Sequence, residues 1–474
     1  MTVFARKPVR DLVADSEGAG LKRRLSATSL VTLGIGAIVG ASILTAAGVS
    51  ASTHAGPALV YSFILAAIGC ALAGFCYSEF AAAIPIAGSA YSYAYATLGE
   101  LPAWIVGWAL ILEYTVAAAT VAVSWSAAVA SILADFNFRI PRAPGAANLI
   151  AVVIVVAVSA ILILGARESA QLNTAMVFIR VAVVVLFIVA GYFYIDKANY
   201  TPFVPPNATG EFGAFGWTGV LAATGQVFFA YIGFDVVSTA AQEAKNPKRD
   251  MPIGILGSLA ICTVLYILYS IVLTGVVNYK DLNVAAPVAL TVDRMIGAPW
   301  LGKLMTLGSV LGLTSVILVM LFGQSRVFYS MSRDGLLPKA FSDVHPKFHT
   351  PWRSNLMLML FVSLLAAFTP ITKLGDLISM GTLFAFVLVC LGVIVMRRTE
   401  PNLPRPFRTP WVPLLPILGM LVNFLMMLGL GSLAWTAFLA WMLIGVALYF
   451  SYSRFHSRLF AQNPGSRSAR GENL

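Results

Sequence analysis

Three ionisable residues lie inside long apolar segments of this sequence, namely Glu113, Arg180 and Asp235. A charged side chain at the centre of a membrane-spanning helix costs about 2.5–3.5 kcal/mol on insertion scales, so such residues normally face other protein and pair there. One interpretation is structural, an ion pair or network that fixes helix register. The other is functional, a site for a substrate or a coupling ion.

Two more charged residues, Glu79 and Arg326, lie near the ends of apolar segments. Long side chains at such positions commonly extend to water, and we expect the same of these two. Thr314 and Ser315 supply adjacent hydroxyl groups inside another segment. They either contribute to a cation site or bond back to the preceding turn of their own helix, which is the commoner arrangement.

Small residues interrupt the first apolar segment, where Gly34, Gly36, Gly40 and Ser42 follow one another closely. They indicate either a close packing face for another helix or a break in the helix. A break leaves free amides and carbonyls that lipid cannot satisfy, so they must line a cavity or hold a ligand. Residues 228–235 repeat this peculiarity five segments later, and two such interruptions are typical of inverted-repeat transporters.

The composition places the chain among polytopic membrane proteins. Of its 474 residues, 59% are hydrophobic and only 11% are charged, against about 25% charged residues in soluble domains. The four cysteines all fall in apolar segments and their spacing fits no metal-ligand pattern. We therefore expect no disulfide, no metal and no cofactor. The net charge of +11 is carried by loops, where it sets orientation, and does not indicate a nucleic-acid partner.

Twelve membrane-spanning segments are predicted from hydrophobic runs. Their approximate bounds are 28–50, 57–82, 102–133, 147–166, 169–195, 217–241, 252–276, 300–329, 354–369, 374–396, 410–430 and 432–452. With the N-terminus inside, the cytoplasmic parts carry about three times as many Lys and Arg residues as the outer loops, which favours cytoplasmic termini. Residues 78–100 are small, aromatic and poor in charge; they predict a surface or re-entrant helix, or else a plain connector.

Several motifs carry a family resemblance that runs from about Leu21 to Phe455. They are Gly34-Ile35-Gly36-Ala37-Ile38-Val39-Gly40, Ser89-Ala90-Tyr91-Ser92-Tyr93, Leu112-Glu113-Tyr114, Phe229-Ala230-Tyr231-Ile232-Gly233-Phe234-Asp235 and Ser332-Arg333-Asp334-Gly335. Because these motifs occur in this order, the chain resembles the amino acid–polyamine–organocation (APC) superfamily. Within it, the chain resembles the branch of bacterial proteins that are similar to cationic amino acid transporters.

This resemblance implies an all-α fold of twelve transmembrane helices. Ten form a LeuT-like five-plus-five inverted repeat with broken helices 1 and 6, and two C-terminal helices follow. The expected divisions are a cytoplasmic tail over 1–27, the transport core over 28–398, the last two helices over 399–453 and a cytoplasmic tail over 454–474. The implied function is secondary active transport of L-amino acids across the inner (cytoplasmic) membrane by alternating access.

The resemblance also implies a substrate site at the two breaks. The substrate carboxylate would meet free amides at Gly40, Ala41, Ser42 and Ile43, where the start of a half-helix favours an anion. The substrate ammonium would meet carbonyls of Ile38, Phe229, Ala230 and Ile232, and Phe229 resembles an aromatic gate. Ser42 stands where the family usually has glycine, so it either narrows the pocket or adds a hydroxyl donor.

Arg180 departs from the lysine found at this position in proton-coupled relatives, where the lysine stands in for sodium near hydroxyls that match Thr314 and Ser315. An arginine keeps its proton, so it can fill a cation site without carrying the coupling proton. A carboxyl group, Glu113 or Asp235, would then carry the proton, and we favour proton symport through Glu113. The alternative is an exchanger without proton coupling. A fixed guanidinium argues against sodium.

Other classes of protein are less consistent with the sequence. An enzyme would need a catalytic cluster, and the histidines are scattered in loops and at segment ends. A channel would need a polar pore lining. A distant alternative is an amino acid sensor with a transporter fold. Membrane lipid is an expected partner, whereas the sequence does not determine the side-chain preference, the stoichiometry, the physiological direction, the oligomeric state or the presence of a small membrane subunit.

Overall fold

The computed structural model describes residues 4–12, 23–39, 47–135, 147–282, 291, 299–368, 375–430 and 432–461. These residues are helical almost throughout, and the one extended pairing among them is an isolated parallel bridge between Leu25 and Ala244. The main helices are α1 Ala27–Ile38, α2 Leu59–Ala83, α3 Ser89–Thr97, α4 Glu100–Asp135, α5 Leu149–Leu164, α6 Ala166–Tyr192, α7 Gly216–Phe228, α8 Pro247–Val276, α9 Pro299–Arg333, α10 Trp352–Phe368, α11 Gly375–Thr399, α12 Leu414–Leu428 and α13 Ser432–Leu448.

Eight helical stretches in the described residues are long and apolar enough to cross a membrane. They are 47–83, 100–133, 169–192, 216–243, 247–276, 304–333, 377–399 and 432–456. The helices α1, α5, α10 and α12 are apolar but shorter, at 12 to 17 residues. The predicted segments overlap these stretches and shorter helices, although the segment 28–50 is described as α1 only to Ile38 and its residues 40–46 lie outside the described residues.

The stretch before α4 forms the helix α3, and all nine of its residues are buried. It packs against α4 and α11. It is therefore an internal helix, neither a surface helix nor an extended connector. Its buried aromatic side chains explain this placement, since the Tyr93 and Phe80 rings stack with centroids 4.7 Å apart.

The helix of the sixth segment is interrupted between Phe228 and Phe234. After α7 the chain makes one 3₁₀ turn, Phe229–Tyr231, then becomes extended at Ile232 and left-handed at Gly233, with φ of 115°. Glycine suits this position for two reasons. It tolerates a positive φ, and an added Cβ would lie 2.6 Å from the Cβ of Ala37 in α1.

Close packing explains two glycines of the first segment. A Cβ added at Gly34 would lie 2.5 Å from the Cβ of Ser258 in α8, and one added at Gly36 would lie 2.5 Å from Asn173 Oδ1 and from Ser315 Oγ. The described part of α1 ends at Ile38, with Val39 as its C-cap. The packing interpretation therefore applies to these two glycines, while Gly40 lies outside the described residues.

The expectation that Glu79 and Arg326 reach water is wrong, because both side chains are fully buried. Glu79 accepts two hydrogen bonds from Arg397, at 3.1 and 2.8 Å, and one from the backbone N–H of Thr409 at 2.7 Å. Arg326 donates to Glu243 Oε1 at 2.9 Å. A buried charge is tolerated when it is paired in this way. Neither residue could be recognised as paired from sequence, since the partners lie far away in the chain.

Candidate substrate and coupling site

The end of α1 and the interruption of the sixth segment meet at the hydroxyl group of Tyr266 in α8. This hydroxyl lies 2.9 Å from the carbonyl oxygen of Ile38 and 2.9 Å from that of Ala230. It has a single proton to share between the two acceptors. Each carbonyl therefore keeps accepting capacity, and the two oxygens lie close enough together to accept from one cationic group.

The remaining residues predicted to bind the substrate divide into two groups. Ala230 and Ile232 are buried and Phe229 is half-buried, all three within the interruption of the sixth segment. Gly40, Ala41, Ser42 and Ile43 lie outside the described residues. The structure thus describes the side of the site predicted to hold the ammonium.

Glu113 and Asp235 are electrostatic neighbours in the interior, and both are fully buried. Tyr114 donates to Asp235 Oδ2 at 2.7 Å. Within the described residues, Asp235 Oδ1 and both Glu113 oxygens have no hydrogen-bond partner at normal distance, although the Thr382 hydroxyl is also near Glu113. A carboxyl group in this setting is costly as an anion and can donate its proton when neutral.

Arg180 lies elsewhere, among α6, α8 and α9. Its guanidinium packs so closely on Gly312 that an added Cβ there would overlap it, and Tyr266 and Cys262 are its electrostatic neighbours. Neither Glu113 oxygen hydrogen-bonds to it. A Glu113–Arg180 ion pair, one form that the structural interpretation could take, is therefore absent from the described residues, and Arg180 interacts electrostatically with Tyr266 instead.

The hydroxyl groups of Thr314 and Ser315 point to different helices. Thr314 accepts from Trp125 Nε1 at 2.8 Å and bonds back to the carbonyl of Val310 at 2.8 Å. Ser315 donates to Asn173 Oδ1 at 2.5 Å. The back-bonding interpretation therefore holds for Thr314, while Ser315 belongs to a polar contact between α9 and α6.

Three residues that make polar contacts in this region are not predicted as site residues from the sequence. Asn173 donates to the carbonyl of Thr32 at 3.0 Å, which joins α6 to α1. It precedes Arg180 by about two helical turns on the same face, a spacing that could have identified it. Tyr114 follows Glu113 directly and gave a weaker signal. Tyr266 has no distinguishing sequence pattern, because its role depends on contacts with two distant carbonyls.

Known proteins similar to this chain are transporters. The profile of the amino acid permease family matches residues 25–457. The branched-chain amino acid permease BcaP of Bacillus subtilis (strain 168) is 44% identical over 471 residues, 97% of this chain and 99% of the relative.

Two other relatives differ in the substrate that their names state. The methylthioribose transporter of the same organism is 43% identical over 467 residues, again 97% of this chain and 99% of the relative. The vacuolar cationic amino acid transporter 4 of Arabidopsis thaliana is 37% identical over 391 residues, 81% of this chain and 64% of the relative. All three names are those of transporters and none is that of an enzyme. Taken with its apolar helices, these matches show that this chain is a multi-pass membrane protein that belongs to the amino acid permease family of the APC superfamily.

Proposed function

We propose that the protein is a secondary active transporter that carries L-amino acids across the inner (cytoplasmic) membrane by alternating access. The helical stretches and shorter helices support twelve spans, with residues 28–398 as a LeuT-like core and both termini in the cytoplasm. The relatives' printed names support amino acids as the substrate class. The single observation that carries the proposal is that the carbonyl of Ile38 at the end of α1 and that of Ala230 at the interruption of the sixth segment meet at one hydroxyl.

A substrate ammonium would bind at these carbonyls. It carries three donors and a positive charge, so it would compete with the single hydroxyl proton of Tyr266. Its carboxylate would bind the amides of Gly40, Ala41, Ser42 and Ile43. The residues beside the two carbonyls, Ile38, Phe229 and Ile232, are apolar, which favours neutral aliphatic side chains over cationic ones.

Proton coupling would use the buried acids. Glu113 and Asp235 interact electrostatically in the interior, so a charge on one carboxyl group disfavours a charge on the other and favours a neutral, protonated form. The Tyr114–Asp235 hydrogen bond orients one of them, which leaves Glu113 as the proton carrier. Arg180 would supply a fixed positive charge beside Tyr266. The alternative, exchange without proton coupling, is favoured by that permanent charge.

A second candidate substrate is methylthioribose, because the relative with that name is almost as similar as the branched-chain permease. A thio-sugar has neither ammonium nor carboxylate, so it would leave the proposed ammonium and carboxylate contacts unused.

Uptake into proteoliposomes tests these proposals. Radiolabelled leucine, alanine, arginine and methylthioribose would be compared, with and without an inward proton gradient, into empty or amino acid-loaded vesicles. We expect leucine or alanine to enter empty vesicles when the gradient is imposed. Uptake that requires only a loaded lumen would establish exchange instead. Uptake of methylthioribose without uptake of any amino acid would overturn the proposed substrate class.

A further inference from the structure

A basic cavity of about 660 Å³ lies where α1 begins, beside the start of α6 and the chain that leads into α8. Three cations line it, Arg23, Arg24 and Lys245, with Ser29 and Gln171 among the neutral polar residues. None of the described lining residues is acidic. The cavity therefore has the charge and the donors that an oxyanion requires.

Backbone hydrogen bonds hold the three cations together. The N–H groups of Arg24 and Leu25 both donate to the carbonyl of Glu243, each at 2.8 Å, and the N–H of Lys245 donates to the carbonyl of Leu25 at 2.8 Å. The convergence is thus fixed by main-chain pairing of the two segments rather than by flexible side chains.

No carboxylate in the described part of the chain neutralises this cluster. All three basic side chains are exposed, and none forms an ion pair with a described residue. Glu243, the nearest acid along the chain to Lys245, is already paired with Arg326 at 2.9 Å. Asp250 accepts instead from the backbone N–H of Asn246 at 3.2 Å. Three cations that line one cavity repel one another, and a bound anion would relieve that repulsion.

The surroundings of the cavity favour a lipid over a small soluble anion. The helices that lead away from it, α6 and α8, carry exposed apolar side chains, among them Leu172, Phe178 and Ile253. A phosphate in the cavity and acyl chains along these helices would match an amphipathic molecule. A basic cavity between helices at the cytoplasmic surface is the setting in which proteins bind anionic headgroups.

We propose that this cavity is a binding site for the phosphate headgroup of an anionic phospholipid of the cytoplasmic leaflet. The leaflet follows from the orientation proposed above, whereas the binding itself does not depend on transport. The bound headgroup joins the start of α1, through Ser29, to α6, through Gln171. Thr174, which also lines the cavity, already connects the same two helices through a hydroxyl contact with Thr32 at 2.9 Å.

Native mass spectrometry of the purified full chain, titrated with phosphatidylglycerol or phosphatidylcholine, tests the site. The variant is Arg23→Gln, Arg24→Gln and Lys245→Gln combined. The matched control replaces three exposed cations from elsewhere in the chain, Lys339→Gln, Arg398→Gln and Arg408→Gln. We expect the variant to bind phosphatidylglycerol on the order of a hundredfold more weakly, since each basic side chain contributes about a factor of five. The control should bind it as the unaltered protein does.

Three results would overturn the proposal. The variant could keep its phosphatidylglycerol affinity, the control could lose as much as the variant, or inorganic phosphate could displace the lipid at equal concentration, which would indicate a site for free phosphate. The single change Lys245→Gln separates loss of the site from loss of the fold. If it weakens phosphatidylglycerol binding while the unfolding temperature stays unchanged, the site is lost and the fold is kept. Because binding is measured without transport, failure here leaves the proposed function untouched.

Discussion

The hydroxyl group of Tyr266 connects two carbonyl groups from different parts of the chain. It contacts a carbonyl at the end of α1 and another at the interruption after α7, and it also adjoins Arg180. The carbonyls at a helix break would otherwise be unsatisfied in the interior, where a lost hydrogen bond is costly. The tyrosine therefore satisfies these two carbonyls in this structure.

The change Tyr266→Phe removes this hydroxyl while keeping the ring. We expect the apparent KM for the transported amino acid to change by about three- to tenfold, the equivalent of one net hydrogen bond. The control is Tyr269→Phe in the same helix, because the Tyr269 hydroxyl is buried without a hydrogen-bond partner in the described residues. Equal effects of both changes in proteoliposome uptake would contradict a specific role for Tyr266.

The buried acids lead to a second prediction at the scale of single residues. Glu113→Gln keeps the shape of the side chain but cannot exchange a proton. We expect uptake driven by a proton gradient to fall at least tenfold, while exchange into preloaded vesicles continues, since exchange requires no net proton movement. Glu211→Gln, at an exposed loop position, is the control. Full pH-dependent uptake by Glu113→Gln would exclude this residue as the proton carrier.

At the scale of the helices, α1 is held by residues that approach it closely from three sides. Gly34 meets α8, Gly36 meets both α6 and α9, and Ala37 faces Gly233. Small residues let these backbones approach, and this packing brings the end of α1 to the interruption after α7. The position of the carbonyls therefore depends on the absence of larger side chains at Gly34, Gly36 and Ala37.

Gly36→Ala tests this packing. The added methyl group would lie 2.5 Å from Asn173 Oδ1 and Ser315 Oγ, so we expect a loss of about 1–3 kcal/mol in stability, typical of overpacking. Gly225→Ala in α7 is the matched control, because nothing lies within 4 Å of its added Cβ. Unfolding temperatures in detergent measure both. A Gly36→Ala protein as stable as the Gly225→Ala protein would show that the contact relaxes without cost.

At the scale of the whole molecule, buried ion pairs join distant parts of the chain. Lys7 contacts Asp334 at 2.6 Å and Arg326 contacts Glu243 at 2.9 Å. By the orientation proposed here, both lie on the cytoplasmic side, close to the ends of α9 and of the sixth segment. These pairs connect the N-terminal segment to the end of α9, and α9 to the end of the sixth segment.

Cysteine labelling tests the orientation. Lys197→Cys lies in a proposed outer loop and Lys339→Cys in a proposed cytoplasmic one, and both side chains are exposed. The four native cysteines are buried, so they add little background. We expect an impermeant thiol reagent to label intact cells at position 197 but not at position 339, and the reverse result would invert the topology.

Sequence patterns were reliable wherever the physical cause was local. Hydrophobic runs predicted where helices form, because burying a backbone in lipid leaves few alternatives to a helix. The prediction that Glu79 and Arg326 reach water was wrong because their partners, Arg397 and Glu243, come from elsewhere in the chain. No local rule distinguishes a charged residue that extends to water from one that is paired in the interior.

The sequence by itself determined that this is a helical membrane protein of the amino acid permease family, with an interruption at Gly233 and acids at positions 113 and 235. Only the tertiary structure decided which groups meet. It left Glu113 without a hydrogen bond to Arg180 but within electrostatic reach of Asp235, and it brought Tyr266 to the carbonyls of Ile38 and Ala230. The physical reason is that helix formation and hydropathy act over a few turns, whereas pairing of buried polar groups depends on how whole helices pack.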